Sequence, residues 1–332
     1  MIPDEKQSAV TRALQEAFGA NEFEDIRPLA GGLSTARVFR IVVRGSPYLL
    51  RLIMKTDAMN DPTRQFACMK SAGEAGIAPR IWYANVEDRV LITDFVEAMP
   101  FPDDMALLMA PTIRRLHSLP HFPKPRMGNY LDTMDGLVGR FQAAQILPDR
   151  EAVELFRGYA DVGRVYPRND ADLVASHNDL KPQNIRYDGD RIWLVDWEAA
   201  FLNDPYVDLA VVANFFVKDE AHEEAYLSAY FGEPVGEYRH ARFYLMRQAV
   251  HMFYAAFLIL MVAGAGRPIE SDMTEPDFKD FHQRLISGEV DVATAEAKLQ
   301  YAKVHLNELQ RHIGTQRFRD ALARVSDFQS NA

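Results

Sequence analysis

Residues 177–184 read His-Asn-Asp-Leu-Lys-Pro-Gln-Asn, and residues 192–196 read Ile-Trp-Leu-Val-Asp. Between these two stretches, alternating apolar residues flank an Asp-Gly pair at 188–189, which is the pattern of a short β-hairpin. Such a hairpin brings Asn184 and Asp196 close together. The polar residues at its base therefore have to be interpreted as one group.

These residue types suit phosphoryl transfer, in which a protein mainly positions the reactants and neutralises charge. Asp179 can orient an acceptor hydroxyl and take its proton. Asn184 and Asp196 offer the amide and carboxylate oxygens that Mg²⁺ prefers. Lys181 can neutralise the migrating phosphoryl group, although a solvated loop lysine would be placed in the same way. Any one of these residues alone could be an ordinary turn former, but together they predict a kinase-type catalytic loop.

The chain resembles the aminoglycoside phosphotransferase and choline kinase superfamily, the small-molecule relatives of protein kinases. Within it, the resemblance is to bacterial choline, ethanolamine and thiamine kinase-like proteins, and it covers nearly the whole chain. The motifs that carry it are His177-Asn178-Asp179, Asn184, Val-Asp-Trp-Glu-Ala-Ala at 195–200 and Asn-Asp-Pro-Tyr-Val-Asp-Leu-Ala at 203–210. The resemblance implies an α+β, bilobal protein-kinase-like fold with a small antiparallel-sheet N-lobe and a large, mainly helical C-lobe. It also implies ATP and Mg²⁺ as cofactors.

The spacing after the hairpin differs from that of a protein kinase. Asp208 follows Asp196 by only twelve positions, where a protein kinase would fit a longer activation segment and an Ala-Pro-Glu motif. We assign Asp208 a structural role, either capping a helix that starts near Leu209 or bracing the catalytic loop.

The composition is that of a globular protein, with 332 residues, of which 48% are apolar and 25% charged. The single cysteine, Cys68, excludes an internal disulfide, and the polar start of the chain shows no signal peptide, so a cytoplasmic location is expected. A net charge of −10 argues against a nucleic-acid partner. The apolar run at 252–265 is too short for a membrane span, and we interpret it as a core helix.

The pattern along the chain predicts an N-terminal nucleotide-binding lobe at 1–97 and a helical C-terminal lobe at 98–332, which holds the catalytic loop and the acceptor site. A helix over 4–18 ends at Gly19, and a second helix begins at Asp61-Pro62 and ends before Gly76. The predicted strands of the N-lobe are 26–29, 38–43, 48–53, 81–85 and 90–95.

The first turn of this lobe, at 31–35, is rich in glycine. Backbone amides at Gly32 and Ser34 could approach phosphate there, although a plain hairpin turn would show the same residues. The resemblance places Arg51 on the nucleotide phosphates, which a guanidinium can bind in a fork geometry. It places Phe95 at the hinge that meets adenine, where its side chain could equally belong to the core.

The position of Gln65 departs from the kinase pattern. The resemblance puts it where a glutamate normally pairs with the phosphate-binding cation. A glutamine can accept a hydrogen bond from Arg51 but cannot offset its charge. Either another carboxylate helps Arg51, or nucleotide binding is weaker than usual.

The resemblance suggests that a small acceptor binds to the helical lobe, where an amine would need aromatic faces and carboxylates. Glu198 and Asp204 supply the acid, and Tyr254 and Phe257 the aromatic rings. An aromatic stripe on an apolar helix is more often part of a core.

We therefore predict an ATP- and Mg²⁺-dependent kinase acting on a hydroxyl group of an amine-bearing metabolite of the choline, ethanolamine or thiamine kind. One alternative is a phosphotransferase for an aminoglycoside or macrolide antibiotic. Another is a nucleotide-binding pseudokinase regulator, suggested by Gln65 and by an extension after about residue 291. The two helices predicted there, at 293–313 and 317–328, could form the face of a homodimer.

Overall fold

The computed structural model describes residues 2–29, 36–56, 61–123, 130–147, 149–169, 172–263 and 277–331. The chain divides into two compact units. The first comprises Met1–Lys124 and Val174–Leu202, and the second comprises Pro125–Leu173 and Asn203–Ala332. The first unit thus contains the catalytic hairpin as well as the N-terminal sheet. The predicted lobe boundary after Glu97 is not the boundary between these units and remains a prediction about the lobes.

An antiparallel sheet of five strands forms the centre of the first unit. Its strands are β1 (Asp25–Pro28), β2 (Arg37–Val43), β3 (Ser46–Leu52), β4 (Ile81–Asn85) and β5 (Val90–Asp94), in the spatial order β1-β2-β3-β5-β4. Arg51 lies on the central strand β3, opposite Val38 of β2 and Leu91 of β5. The β2–β3 connection is a two-residue turn, Arg44-Gly45, in which both residues have positive φ, as tight hairpins require.

Two helices accompany this sheet. Helix α1 (Gln7–Phe18) ends at Gly19, which takes the left-handed conformation, and its apolar side packs on the sheet through residues such as Leu14. Helix α2 (Pro62–Glu74) begins after Asp61, whose carboxylate accepts a hydrogen bond from Thr63 N at 3.0 Å. Both helices therefore begin or end where their capping residues predict.

The first unit also contains helix α3 (Met105–His117) and the short strands β6 (Val174–Ser176), β7 (Ile185–Tyr187) and β8 (Ile192–Leu194), and strand β9 (Phe201–Asn203) ends one residue beyond it. Strands β7 and β8 form the predicted hairpin, with Ile185 opposite Leu194. Strand β6 pairs with β9. This arrangement holds the ends of the catalytic segment in register.

The described part of the second unit is helical. Its helices are α4 (Tyr130–Ala143), α5 (Asp149–Val165), α6 (Pro205–Phe216), α7 (Glu220–Phe231), α8 (Glu237–Ala263), α9 (Phe278–Ile286), α10 (Ala295–His312) and α11 (Gln316–Asn331). Helix α8, with 27 residues, is in contact with α4, α6, α10 and α11. Among the described residues it is the one helix long and apolar enough to cross a membrane by length and composition, but 72% of its apolar window is buried inside the fold. The prediction of a core helix here is confirmed, and α10 and α11 confirm the two C-terminal helices.

Candidate active site

The catalytic loop is held together by hydrogen bonds around Asp179. Asn184 Nδ2 donates to both the backbone oxygen and Oδ2 of Asp179, each at 2.8 Å. Lys181 Nζ lies 2.7 Å from the same Oδ2. Burial alone would lower the pKa of Lys181, but the neighbouring carboxylates, Asp179 first, outweigh burial and raise it. Lys181 is therefore a cation fixed beside the candidate base.

The two residues that precede Asp179, His177 and Asn178, hold this loop in place. His177 is fully buried, its Nε2 lies 2.9 Å from the backbone oxygen of Val195, and its ring packs on Trp197. Asn178 adopts positive φ, and its side-chain amide donates to Ala199 O at 2.9 Å. Asparagine tolerates this conformation better than most residues. His177 therefore holds the loop through its contact with the Val195 backbone.

The β7–β8 hairpin places Asp196 next to Arg51. Arg51 Nη1 lies 2.8 Å from Asp196 Oδ1, and Arg51 Nη2 lies 2.8 Å from Glu198 Oε2. The Arg51 side chain is only 11% exposed. The structure thus brings together one predicted phosphate-binding residue and one predicted metal ligand, and it adds a second carboxylate to them.

The donor set fits Mg²⁺. The amide nitrogen of Asn184 is committed to Asp179, which leaves the amide oxygen for a cation. Within the described residues, Asp196 Oδ1 is buried without a hydrogen bond of normal geometry, although Arg51 lies close to it. Hard oxygen atoms of this kind are what Mg²⁺ binds, together with waters and substrate phosphates.

Helix α2 reaches this site through a residue that the sequence analysis overlooked. Gln65 is buried in the helix, whereas its neighbour Arg64 donates from Nη2 to the backbone oxygen of Glu198 at 2.6 Å. The helix therefore contributes a cation, and the carboxylate that meets Arg51 comes from Glu198. Arg64 stands directly beside the position at which a glutamate was expected, and that was the signal available in the sequence.

The remaining nucleotide-binding predictions are only partly covered by the structure. Gly32 and Ser34 lie outside the described residues. Phe95 follows β5 and is half-buried, with the Arg40 guanidinium 5.3 Å from its ring centroid. A hinge role for Phe95 therefore remains a prediction.

Asp204 caps a helix and forms a buried ion pair. Its carboxylate caps helix α6, accepting from Tyr206 N at 2.8 Å, and lies 2.7 Å from Arg242 Nη2. It is buried and fixed by these contacts, and its contact with the acceptor stays a prediction. The prediction that Asp208 caps this helix is wrong, because the helix begins at Pro205 and Asp208 lies buried in its first turn.

The two aromatic candidates both lie on helix α8. Tyr254 is 7% exposed and stacks on His305 at 4.8 Å. Phe257 is 37% exposed and stacks on Phe253. The burial of Tyr254 matches the core interpretation, whereas Phe257 presents part of its ring to solvent.

Residues 25–244, well over half of the chain, match the family model described as "Phosphotransferase enzyme family". The chain belongs to this phosphotransferase family. It is therefore a phosphotransferase, as the catalytic loop predicts, and the resemblance stated from the motifs is confirmed.

Solved structures confirm the predicted kinase-like fold. A choline/ethanolamine kinase family protein from Mesorhizobium loti matches with a TM-score of 0.69 and 18% identity, over 97% of this chain and 99% of that one. The choline kinase LicA from Streptococcus pneumoniae matches with a TM-score of 0.59 and 15% identity, over 91% and 99%. A spectinomycin phosphotransferase solved with ADP and spectinomycin matches with a TM-score of 0.59 and 13% identity, over 96% and 98%.

Sequence similarity to a curated protein is confined to a short stretch. It is 42% identical over 53 residues to Protein LicA of Haemophilus influenzae, and it covers 16% of this chain and 14% of that relative.

Proposed function

We propose that this phosphotransferase uses ATP and Mg²⁺ to phosphorylate a hydroxyl group of a small, amine-bearing metabolite. The observation that carries the proposal is the cluster in the first unit, where Asp179, Asn184 and Lys181 form one hydrogen-bonded loop and Asp196 meets Arg51. Structural relatives solved with ADP or AMP support a nucleotide as the phosphoryl donor.

Each residue of the cluster has a defined task. Asp179 orients the acceptor hydroxyl and takes its proton, while Lys181 balances charge beside it. Arg51 holds phosphate oxygens in its guanidinium fork. Asn184 and Asp196 would hold Mg²⁺, which when bound neutralises charge on the nucleotide phosphates.

The choice of an amine-bearing acceptor rests on two supporting observations. The structural match with a TM-score of 0.69 is to a choline/ethanolamine kinase family protein. The chain also carries a net charge of −10, which favours the approach of a cation. Within this proposal the protein acts in the cytoplasm, and the C-terminal helices offer a face for a homodimer.

The second candidate acceptor is an antibiotic. It is favoured by the match to a spectinomycin phosphotransferase over 96% of this chain. The pseudokinase alternative was suggested mainly by Gln65, which lacks a carboxylate for Arg51. Glu198 supplies that carboxylate, so this argument no longer supports the alternative.

The deciding experiment measures ADP release by the purified protein with ATP and Mg²⁺. The acceptor panel contains choline, ethanolamine, thiamine, homoserine, methylthioribose, aminoglycosides and macrolides. We expect turnover with an amine-bearing alcohol and a loss of roughly 10²–10⁴-fold for Asp179→Asn, since the carboxylate is both base and orienter. Asp190→Asn, an exposed change in the turn of the same hairpin, is the matched control and should retain turnover. Undiminished turnover in Asp179→Asn would refute the assignment of the base.

A further inference from the structure

We propose that Glu198 is the positioning residue that holds Arg51 in place for the nucleotide phosphates. This proposal rests on the proposed function and assigns Glu198 to the nucleotide side of the site, not to the acceptor. In protein kinases the corresponding cation on the third strand pairs with a glutamate of the following helix. Here that helix carries Gln65 instead, and the carboxylate comes from the turn after the catalytic hairpin.

The geometry around Arg51 shows a fork between two carboxylates. Nη1 faces Asp196 and Nη2 faces Glu198, each at 2.8 Å. Because the Arg51 side chain is largely buried, its charge needs a permanent partner to be stable in that position. Asp196 and Glu198, each 2.8 Å from a nitrogen of Arg51, compensate this charge.

Only one of these two carboxylates is free to remain with Arg51 when nucleotide binds. Asp196 is the proposed Mg²⁺ ligand, so its oxygen atoms would be shared with the ion when it is bound. Glu198 has its own hydrogen bond to a different nitrogen of Arg51. Glu198 can therefore keep Arg51 oriented while Asp196 would bind Mg²⁺.

The backbone of Glu198 is itself anchored by helix α2. Arg64 Nη2 donates to Glu198 O at 2.6 Å, and Glu198 lies in a 3-10 turn (Trp197–Ala199) next to that helix. Protein kinases link this helix to the sheet through a glutamate on the helix. Here the charged residue on the helix is the cation, and the carboxylate lies outside the helix. The helix supplies an arginine, and the turn supplies the glutamate.

The test measures ADP binding by calorimetry, with Mg²⁺ and in EDTA, for wild type, Glu198→Gln and the control Glu87→Gln. Glutamine keeps the size of the side chain but removes the charge. We expect about 10- to 100-fold weaker ADP binding for Glu198→Gln with Mg²⁺, the loss typical of removing a charged hydrogen-bond partner, and a smaller loss in EDTA, where Asp196 also stays with Arg51. Glu87, exposed in the β4–β5 turn, should leave binding unchanged.

The direction of this change separates the proposal from its simplest rival. A carboxylate that merely lies near the phosphates repels them, so neutralising it would tighten ADP binding. Unchanged or tighter binding by folded Glu198→Gln overturns the proposal. In steady-state kinetics the KM for ATP should rise about 10-fold or more while the KM for the acceptor stays within twofold, and a rise in the acceptor KM alone would instead place Glu198 at the acceptor.

A double-mutant cycle tests whether Glu198 acts through Arg51. In an Arg51→Gln background, adding Glu198→Gln should change ADP affinity by less than about twofold, and full additivity would contradict the proposal. If Glu198→Gln fails to fold, Arg64→Gln takes its place and should also weaken ADP binding, because it releases the Glu198 backbone. Wild-type protein that binds no nucleotide would refute the proposed function itself, whereas wild-type binding with no effect of these variants refutes only the role of Glu198.

Discussion

At the scale of single residues, Asp204 shows how a buried carboxylate can be fixed by folding alone. Oδ1 accepts from the backbone of Tyr206, and Oδ2 lies 2.7 Å from Arg242 and 3.2 Å from the hydroxyl of Tyr166. Arg242 also lies over the ring of Tyr206. Because Asp204 and Arg242 are nearly excluded from water, loss of the Asp204 carboxylate would leave the guanidinium only the more exposed Asp172, 3.2 Å from Nη1, as a charged partner.

We therefore expect Asp204→Ala to lower the free energy of unfolding by about 3–5 kcal/mol, the range for breaking a buried ion pair from one side. Urea denaturation followed by circular dichroism measures it. Asp277→Ala is the matched control, because Asp277 caps helix α9 through Lys279 N at 2.8 Å but is exposed. Its loss should cost only about 1 kcal/mol. Equal losses for the two variants would mean that the pair with Arg242 adds nothing.

At the scale of elements, glycines in two neighbouring helices have opposite environments. In α5, a Cβ added at Gly158 would lie 2.4 Å from Ile313 Cδ1 and 2.7 Å from its Cγ1. In α4, a Cβ added at Gly139 would have no heavy atom within 4 Å among the described residues. The first glycine allows close approach of a neighbouring side chain, and the second only loosens its helix.

Gly139→Ala should raise the free energy of unfolding by about 0.5–1 kcal/mol, since alanine restricts the unfolded chain and favours helix. Gly158→Ala should lower it by about 1–3 kcal/mol, because the new methyl overpacks the contact with Ile313. Chemical denaturation of both variants checks the two signs. In an Ile313→Ala background the penalty at Gly158 should vanish, and its persistence would show that some other contact is responsible.

The same scale shows what a single sequence can predict. The caps at Asp61 and Gly19 and the 185–194 hairpin depend on neighbouring residues, so local patterns locate them. The Asp-Pro signal that places the start of α2 also stands at Asp204-Pro205, and it marks the start of α6, which the sequence analysis instead placed near Leu209. The pairing of Arg51 with Glu198 joins residues 147 positions apart, and no local pattern contains that information.

At the scale of the whole molecule, the helical unit contains histidines in its core. His251 and His305 face each other with Nδ1 atoms 2.9 Å apart, and His282 contacts Tyr301 through Nε2 at 3.1 Å. All three are buried. Burial lowers the pKa of His282 to about 4 and holds the pKa values of His251 and His305 well below the usual range, with the charge of Arg247 adding to the effect at His251.

These histidines make the protein sensitive to acid. Because they are neutral in the folded state and titrate near pH 6.5 when unfolded, the unfolded chain binds more protons below that pH. Their full contribution to stability is therefore present above pH 6.5 and is lost as the pH falls towards 4. Between pH 7.5 and 5.5 each should remove about 1 kcal/mol from the free energy of unfolding.

Urea denaturation across this pH range measures that slope. His282→Gln replaces one buried histidine and should lower the free energy of unfolding at pH 7.5. It should also reduce the change of that free energy with pH by the contribution of one proton. His121→Gln, at an exposed position, should leave the slope as it is in wild type. A slope that His282→Gln does not reduce would show that His282 has the same pKa in the folded and unfolded states, and that other groups account for any acid sensitivity.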